Sequence, residues 1–162
     1  MQRNMKRNLT DNEASVLFYL LEKVELSHDN FVNWAYFQYE DDGVHPWIEK
    51  AALTIDLKEA KDLLRGEFAI TDLSQELLAG EVGFKFSSGE ITDYEAVNRL
   101  YDIICFGEHW PEEVQRKVYL MDDYFGWHEN PSSKVVPMLK ELLSKYEATY
   151  KAKVEFFNTS SL

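Results

Sequence analysis

The chain has 162 residues, 45% of them apolar and 14% aromatic, which is enough to bury the core of one domain. Its net charge is −12, from 29 acids and 17 bases. Such a charge disfavours nucleic acid and anionic membrane as partners, because both bind cationic surfaces. The single cysteine, Cys105, excludes a disulfide within the chain and a zinc site built of thiolates. It follows Ile104 in an apolar helical stretch and is predicted to be a small buried hydrophobic residue.

The acidic charge is concentrated in the middle of the chain. Residues 36–130 hold 21 of the acids and 8 of the bases, whereas residues 1–8 carry net +3 and residues 131–162 net +2. This distribution favours a basic partner and would steer it; alternatively, it only keeps a cytosolic protein in solution. No apolar run approaches the roughly 18 residues of a membrane span. No cleavage site follows the basic start, so the sequence predicts a cytoplasmic protein without a signal peptide.

The predicted fold class is mainly α: a single-domain bundle of six or seven helices built on a central αα-hairpin, with at most one small β-ribbon. The domain is predicted to cover residues 9–157. Residues 1–8 are predicted to form a flexible basic arm and residues 158–162 a polar tail.

Helix-start signals organise the first part of the domain. Thr10 and Glu13 have the spacing of a capping box, in which each side chain satisfies a backbone amide of the first turn. Phe31–Tyr39 would suit a strand by its aromatic content, but a helix is favoured because Ser27 or Asp29 can cap it.

Two further helices are predicted before the middle of the chain. Pro46 opens a short helix through about Leu53, since the first helical amide needs no partner. Asp56 and Glu59 repeat the capping-box spacing, and the helix that they start is predicted to end at Arg65. Between these elements and the first pair, residues 40–43 form an acidic turn.

A short helix over Asp72–Ala79, closed by Gly80, is predicted next. Val82–Phe86 then alternates apolar and other residues with period two, which predicts a strand. Phe68 and Ile70 are its predicted partners in a small ribbon.

The stretch from Thr92 to Trp127 predicts the central αα-hairpin. Thr92 and Glu95 form a capping box, Gly107 suits a helix stop in the left-handed conformation, and Pro111 suits the next helix start. The apolar positions repeat at helical spacing in both halves: Val97, Leu100, Tyr101 and Ile104 in the first, and Val114, Val118, Met121 and Phe125 in the second.

The longest helix is predicted over Lys134–Lys153. Its apolar stripe consists of Val135, Leu139, Leu142 and Tyr146. Pro137 is compatible with a helix only in the first turn, where its missing N–H costs no hydrogen bond.

The sequence contains none of the common catalytic motifs, and we predict no catalytic residue, no cofactor and no metal. His109 and Glu112 are three residues apart, but a di-metal bundle needs two Glu-x-x-His motifs and two more glutamates. Glu112 is better explained as a carboxylate that complements the dipole at a helix N-terminus.

One cluster of residues does indicate a binding site. Aromatic and acidic residues occur together at the two ends of the second hairpin helix, and they are the predicted partner-binding residues: Trp110, Asp122, Asp123, Tyr124, Trp127 and His128. Aromatic side chains anchor interfaces and carboxylates pair with arginine and lysine. An alternative is that Trp110 and Trp127 only hold the helix ends to the core.

A small, acidic, cysteine-poor, helix-rich chain without catalytic residues resembles the bacterial immunity proteins, which neutralise toxic nucleases and other polymorphic toxins. The resemblance rests on overall composition and implies a non-catalytic inhibitor that covers the active site of a basic toxin. Two alternatives remain open: a small enzyme with a carboxylate-based site outside the known motifs, and a structural or regulatory interaction domain.

Overall fold

The computed structural model describes residues 7–40, 43–107 and 109–158. Within these ranges the chain forms helices and no strand, apart from one isolated bridge between Glu40 and Gly43. The helices are α1 (Asp11–Glu22), α2 (His28–Phe37), α3 (Pro46–Ala52), α4 (Leu57–Glu67), α5 (Gln75–Ser87), α6 (Asp93–Cys105), α7 (Glu112–Trp127) and α8 (Pro131–Glu155). The helical class is confirmed, although eight described helices exceed the predicted six or seven.

The chain divides into two compact units. Unit 1 comprises Met1–Leu73 and Ala152–Leu162, and unit 2 comprises Ser74–Lys151. Most of the predicted arm and tail, residues 1–6 and 159–162, lies outside the described residues. The same holds for Asp41 and Asp42 of the predicted acidic turn.

The predicted helix starts are confirmed at the level of side chains. Thr10 and Thr92 each accept a hydrogen bond from the amide of the glutamate three residues later, and both capping boxes are closed. Ser27 caps α2 through the Asn30 amide, so the ambiguous Phe31–Tyr39 stretch is largely helix. The Asp56 carboxylate accepts the Glu59 amide at 2.8 Å.

The core of unit 1 is aromatic. Trp34 is fully buried, with its ring 6.1 Å from that of Trp47 and 5.2 Å from that of Phe157. Its indole N–H donates to the Phe156 carbonyl oxygen at 3.0 Å. A large buried ring with a satisfied polar atom is a stable arrangement, and it ties α2 to residues that follow α8.

The core of unit 2 contains the stripes that the sequence predicts. Leu100 and Ile104 of α6 pack with Val118 and Met121 of α7, all essentially without exposure. The ring of Tyr94 lies 5.1 Å from that of Phe125, and the ring of Tyr101 lies 5.7 Å from that of Tyr119. Because the start of α6 meets the end of α7, the two helices are antiparallel.

The predicted ribbon at Val82–Phe86 is wrong, because this stretch lies inside α5. Gly80 does not close a helix either. A Cβ on Gly80 would lie 2.7 Å from the Tyr150 Cβ, and one on Gly83 would lie 3.1 Å from the Leu143 Cβ. The two glycines therefore let α5 and α8 approach closely. The period-two pattern of Val82–Phe86 gives no indication of this helix packing.

The corner between α6 and α7 also differs from the prediction. Gly107 does not adopt a positive φ; His109 does, at 68°. A Cβ on Gly107 would instead collide with the Ile103 carbonyl oxygen and the Gln75 amide group, so the position needs glycine for space. Pro111 is the N-cap of α7, one residue before the helix begins.

Two helices are longer than predicted. α4 continues through Gly66 to Glu67. α8 begins at Pro131, so Pro137 lies in its second turn and not in the first. Val135 and Leu139 are buried as predicted, and Leu142 and Tyr146 are partly buried against the same core.

Candidate partner-binding surface at the end of α7

The last turn of α7 ends in a tightly bonded loop. The His128 amide caps the helix by donating to the Tyr124 carbonyl at 2.9 Å. The Asn130 amide then donates to His128 Nδ1 at 3.0 Å. Since Nδ1 accepts this bond, a neutral imidazole carries its proton on Nε2. These bonds fix the imidazole ring beside the helix end.

Three aromatic rings meet at this helix end. The Tyr124 ring lies 5.5 Å from the Trp127 ring and 5.7 Å from the His128 ring, and the last two are 5.5 Å apart. Trp127 is 67% exposed. The rings therefore brace one another while the indole remains open to a partner.

The aromatic stripe extends one turn further than the sequence predicts, although Tyr124 within it is half-buried and packs against the core of unit 2. Leu120 is 42% exposed and precedes Tyr124 and Trp127 by four and seven residues, which places the three on one side of the helix. The spacing of these three residues could have indicated the stripe from the sequence alone. The neighbouring Met121 and Phe125 instead indicate the core-facing side of the helix.

Trp110 does not belong to this surface. It is only 7% exposed, and its ring packs edge-on against Tyr146 at 5.7 Å. It also lies at the opposite end of α7, a helix of 16 residues and therefore about 24 Å long. Of the two tryptophans, Trp110 holds its helix end to the core of unit 2 and Trp127 does not.

The two ends of α7 differ in how their charges are compensated. At the start, Glu112 pairs with Arg116 at 2.8 Å and Glu113 with Lys117 at 3.4 Å. At the other end, Asp122 is half-buried and Asp123 exposed. Neither forms an ion pair with any described residue, and the last turn of α7 contains no basic side chain. Asp123 and Asp122 lie four and five residues before the last residue of α7, just outside its last turn, where the dipole effect has largely fallen off.

Local contacts explain the other residues that could have been metal ligands or catalytic groups. The carboxylate of Glu112 pairs with Arg116 at 2.8 Å. The described part of the chain contains no group of three or more His, Cys, Asp or Glu placed to hold a metal ion. Cys105 is only half-buried, and its thiol is the main cause that raises the pKa of Tyr119.

Unit 1 has a surface hollow of about 350 Å³ whose lining includes Glu13, Lys153 and Glu155. Partial burial raises the pKa of Glu13, but hydrogen bonds from Arg7 and Thr10 outweigh it, and the net shift is downward. The carboxylate already pairs with Arg7 at 2.7 Å. A carboxylate held in the ionised form and already paired is unsuited to general acid catalysis.

No helix in the described ranges combines the length and the apolar character that a bilayer crossing requires. Comparison of the chain with protein-family models, with curated proteins and with solved structures gives no match.

Proposed function

We propose that this protein is a non-catalytic binding module that takes a basic protein partner at the end of α7. One observation carries the proposal: Asp122 and Asp123 pair with no described cation, and Asp123 lies four residues before the exposed Trp127, on the same side of α7. A cation supplied by a partner could pair with either carboxylate without displacing a cation of the described residues. Trp127 offers the partner a large apolar contact.

The binding mechanism that we propose is steering followed by occlusion. The acidic field of residues 36–130 attracts a basic protein from a distance, and the stripe of Leu120, Tyr124 and Trp127 then docks against it. By its resemblance in composition to bacterial immunity proteins, the module is proposed to inhibit a basic toxin by covering its active site. Salt should slow association, because it screens charges over about 8–10 Å at ordinary ionic strength.

The test needs a candidate partner, and the product of the neighbouring gene is the first choice. With that protein immobilised, Asp122→Lys combined with Asp123→Lys should slow association severalfold, because rim charges act mainly on the association rate. Trp127→Ala should raise the dissociation rate, with a loss of about 2 kcal/mol or more.

A control with the same change in net charge separates a local site from the general field. Asp102 of α6 and Glu141 of α8 are exposed carboxylates of unit 2. Changing both to lysine should slow association less than the Asp122 and Asp123 pair does. Equal slowing by the two pairs, together with unchanged dissociation of Trp127→Ala, would rule out the end of α7 as the site.

A further inference from the structure

Unit 1 has an exposed aromatic pair of its own at the end of α2. Tyr36 is 53% and Tyr39 41% exposed, and their ring centroids are 5.8 Å apart with 31° between the ring planes. The Tyr39 amide donates to the Tyr36 carbonyl at 3.2 Å, which fixes their spacing. The opposite side of α2 is anchored by the buried Phe31 and Trp34. The pair is therefore a firm, outward-facing platform.

This pair differs from the other exposed tyrosines. Tyr94 is equally exposed at 53%, but its ring packs on Phe125 of unit 2. Tyr119 likewise packs on Tyr101. Among the ring contacts of the described residues, Tyr36 and Tyr39 contact only each other. Contacts with other aromatic rings of the described residues thus do not explain why these two rings are exposed side by side.

The electrostatic surroundings favour a cation. Glu49, in the first turn of α3, is exposed and forms no ion pair with any described residue. Partial burial and, next, the charge of Glu49 raise the pKa of Tyr39, and the influence of Glu49 indicates that its carboxylate lies near the Tyr39 phenol. The last turn of α2 has no basic side chain to offset the negative end of its dipole.

We propose that Tyr36, Tyr39 and Glu49 form a docking surface for an arginine side chain of a basic polypeptide. A guanidinium is planar, so it can stack on a tyrosine face while its N–H groups pair with a carboxylate. A lysine ammonium matches the charge but lacks the plane. The surface is therefore selective for arginine over lysine. This inference rests on contacts within unit 1 and does not depend on the function proposed for the end of α7.

The test uses two peptides that differ only in the cation. One is a glycine–serine peptide with spaced arginines, and the other has lysines at the same positions. In an NMR titration of the full chain at low ionic strength, the arginine peptide should bind severalfold more tightly. It should shift the ring resonances of Tyr36 and Tyr39 more than those of Tyr94 and Tyr119.

Substitutions test whether the preference for the arginine peptide arises at this surface. Tyr36→Ala with Tyr39→Ala should abolish the preference for arginine, and Glu49→Gln should weaken binding of the arginine peptide severalfold. Tyr36→Phe with Tyr39→Phe keeps both ring faces and should retain the preference. Circular dichroism verifies that each variant is folded, which is expected for such exposed positions.

Two results would overturn the proposal. One is equal binding of the arginine and lysine peptides by the unchanged protein. The other is an arginine preference that survives Tyr36→Ala with Tyr39→Ala but is lost in Trp127→Ala, which would place arginine recognition at the end of α7. A preference lost only in the tyrosine variants supports the proposal whether or not the α7 surface binds a partner.

Discussion

Gly80 of α5 lies directly against Tyr150 of α8: a Cβ at position 80 would come within 2.7 Å of the Tyr150 Cβ, and it would also collide with the Tyr146 carbonyl oxygen. Both obstacles belong to a helix backbone or to its first side-chain carbon, so neither can rotate away. The close contact between these two helices therefore requires glycine at position 80.

Gly80→Ala should destabilise the protein by about 1–3 kcal/mol, the usual range for overpacking a tight core. Gly126 provides a matched control, since it also lies inside a helix but has nothing within 4 Å of a built Cβ. Gly126→Ala should stabilise by about 0.5–1 kcal/mol, because alanine loses less backbone entropy on folding. Urea denaturation of both variants gives the two free energies of unfolding, and changes of the same sign would contradict this account.

Leu100→Ala should cost about 2–5 kcal/mol, the range for a fully buried leucine, because Leu100 has no exposed surface in the core of unit 2. Leu53→Ala is the comparison: Leu53 is 72% exposed, and its loss should change stability by less than about 0.5 kcal/mol. Chemical denaturation measures both. A loss below about 1 kcal/mol for Leu100→Ala would mean that the core-facing side of α6 is assigned wrongly.

Acid should weaken unit 1 through Glu13. Its folded pKa lies below the ordinary value of 4.5, since hydrogen bonds from Arg7 and Thr10 outweigh the effect of burial. Below pH 4.5 the unfolded chain therefore binds more protons than the folded one. The stabilisation is complete above pH 4.5 and is lost as pH falls through the folded pKa.

Glu13→Gln should accordingly flatten the fall in the free energy of unfolding below pH 4.5, and Arg7→Gln should do the same in part. Denaturation curves measured between neutral and acid pH show the slope. An unchanged slope in both variants would mean that the contact between Arg7 and Glu13 contributes nothing in solution.

Acrylamide should quench Trp127 far more than the other tryptophans. Trp127 is 67% exposed, whereas Trp34, Trp47 and Trp110 are 7% exposed or less. Trp127→Phe should remove most of the quenchable fluorescence, and Trp110→Phe should not. Trp110→Ala should also cost about 3–5 kcal/mol of stability, while Trp127→Ala should stay within about 0.5 kcal/mol. Strong quenching that persists in Trp127→Phe would contradict the exposed position of this ring.

The predictions that succeeded rest on local chemistry. The threonine caps at positions 10 and 92 work through residues three apart in sequence, and an amphipathic stripe such as Leu100 and Ile104 reports its own buried side. Both signals are complete within one helix. The predictions that failed depend on a neighbour distant in sequence. In isolation Gly80 indicates a helix end and Gly83 falls within a strand pattern, but Tyr146 and Leu143 across the helix contact make both glycines packing positions.

The same distinction between local and long-range contacts applies to the candidate site. Tyr124, Trp127 and His128 are close in sequence, and the helix end brings them together. Trp110 shares their composition but lies at the far end of the helix and is buried by Tyr146. The pair of Glu112 and Arg116 is four residues apart in one helix, so its spacing alone predicts it. That no described cation from another helix reaches Asp122 or Asp123 depends on the packing and could not be predicted.

The hydrogen bond between the Trp34 indole and the Phe156 carbonyl spans 122 positions of the chain. Unit 1 consists of residues that precede unit 2 in the sequence and residues that follow it. During synthesis on the ribosome, every residue of unit 2 emerges before Phe156 and Phe157 do. Unit 2 can thus form its core before Trp34 of α2 contacts Phe156 and Phe157. Nascent chains arrested before position 156 should leave Trp34 accessible, an exposed state that chaperones would recognise before the tryptophan is covered.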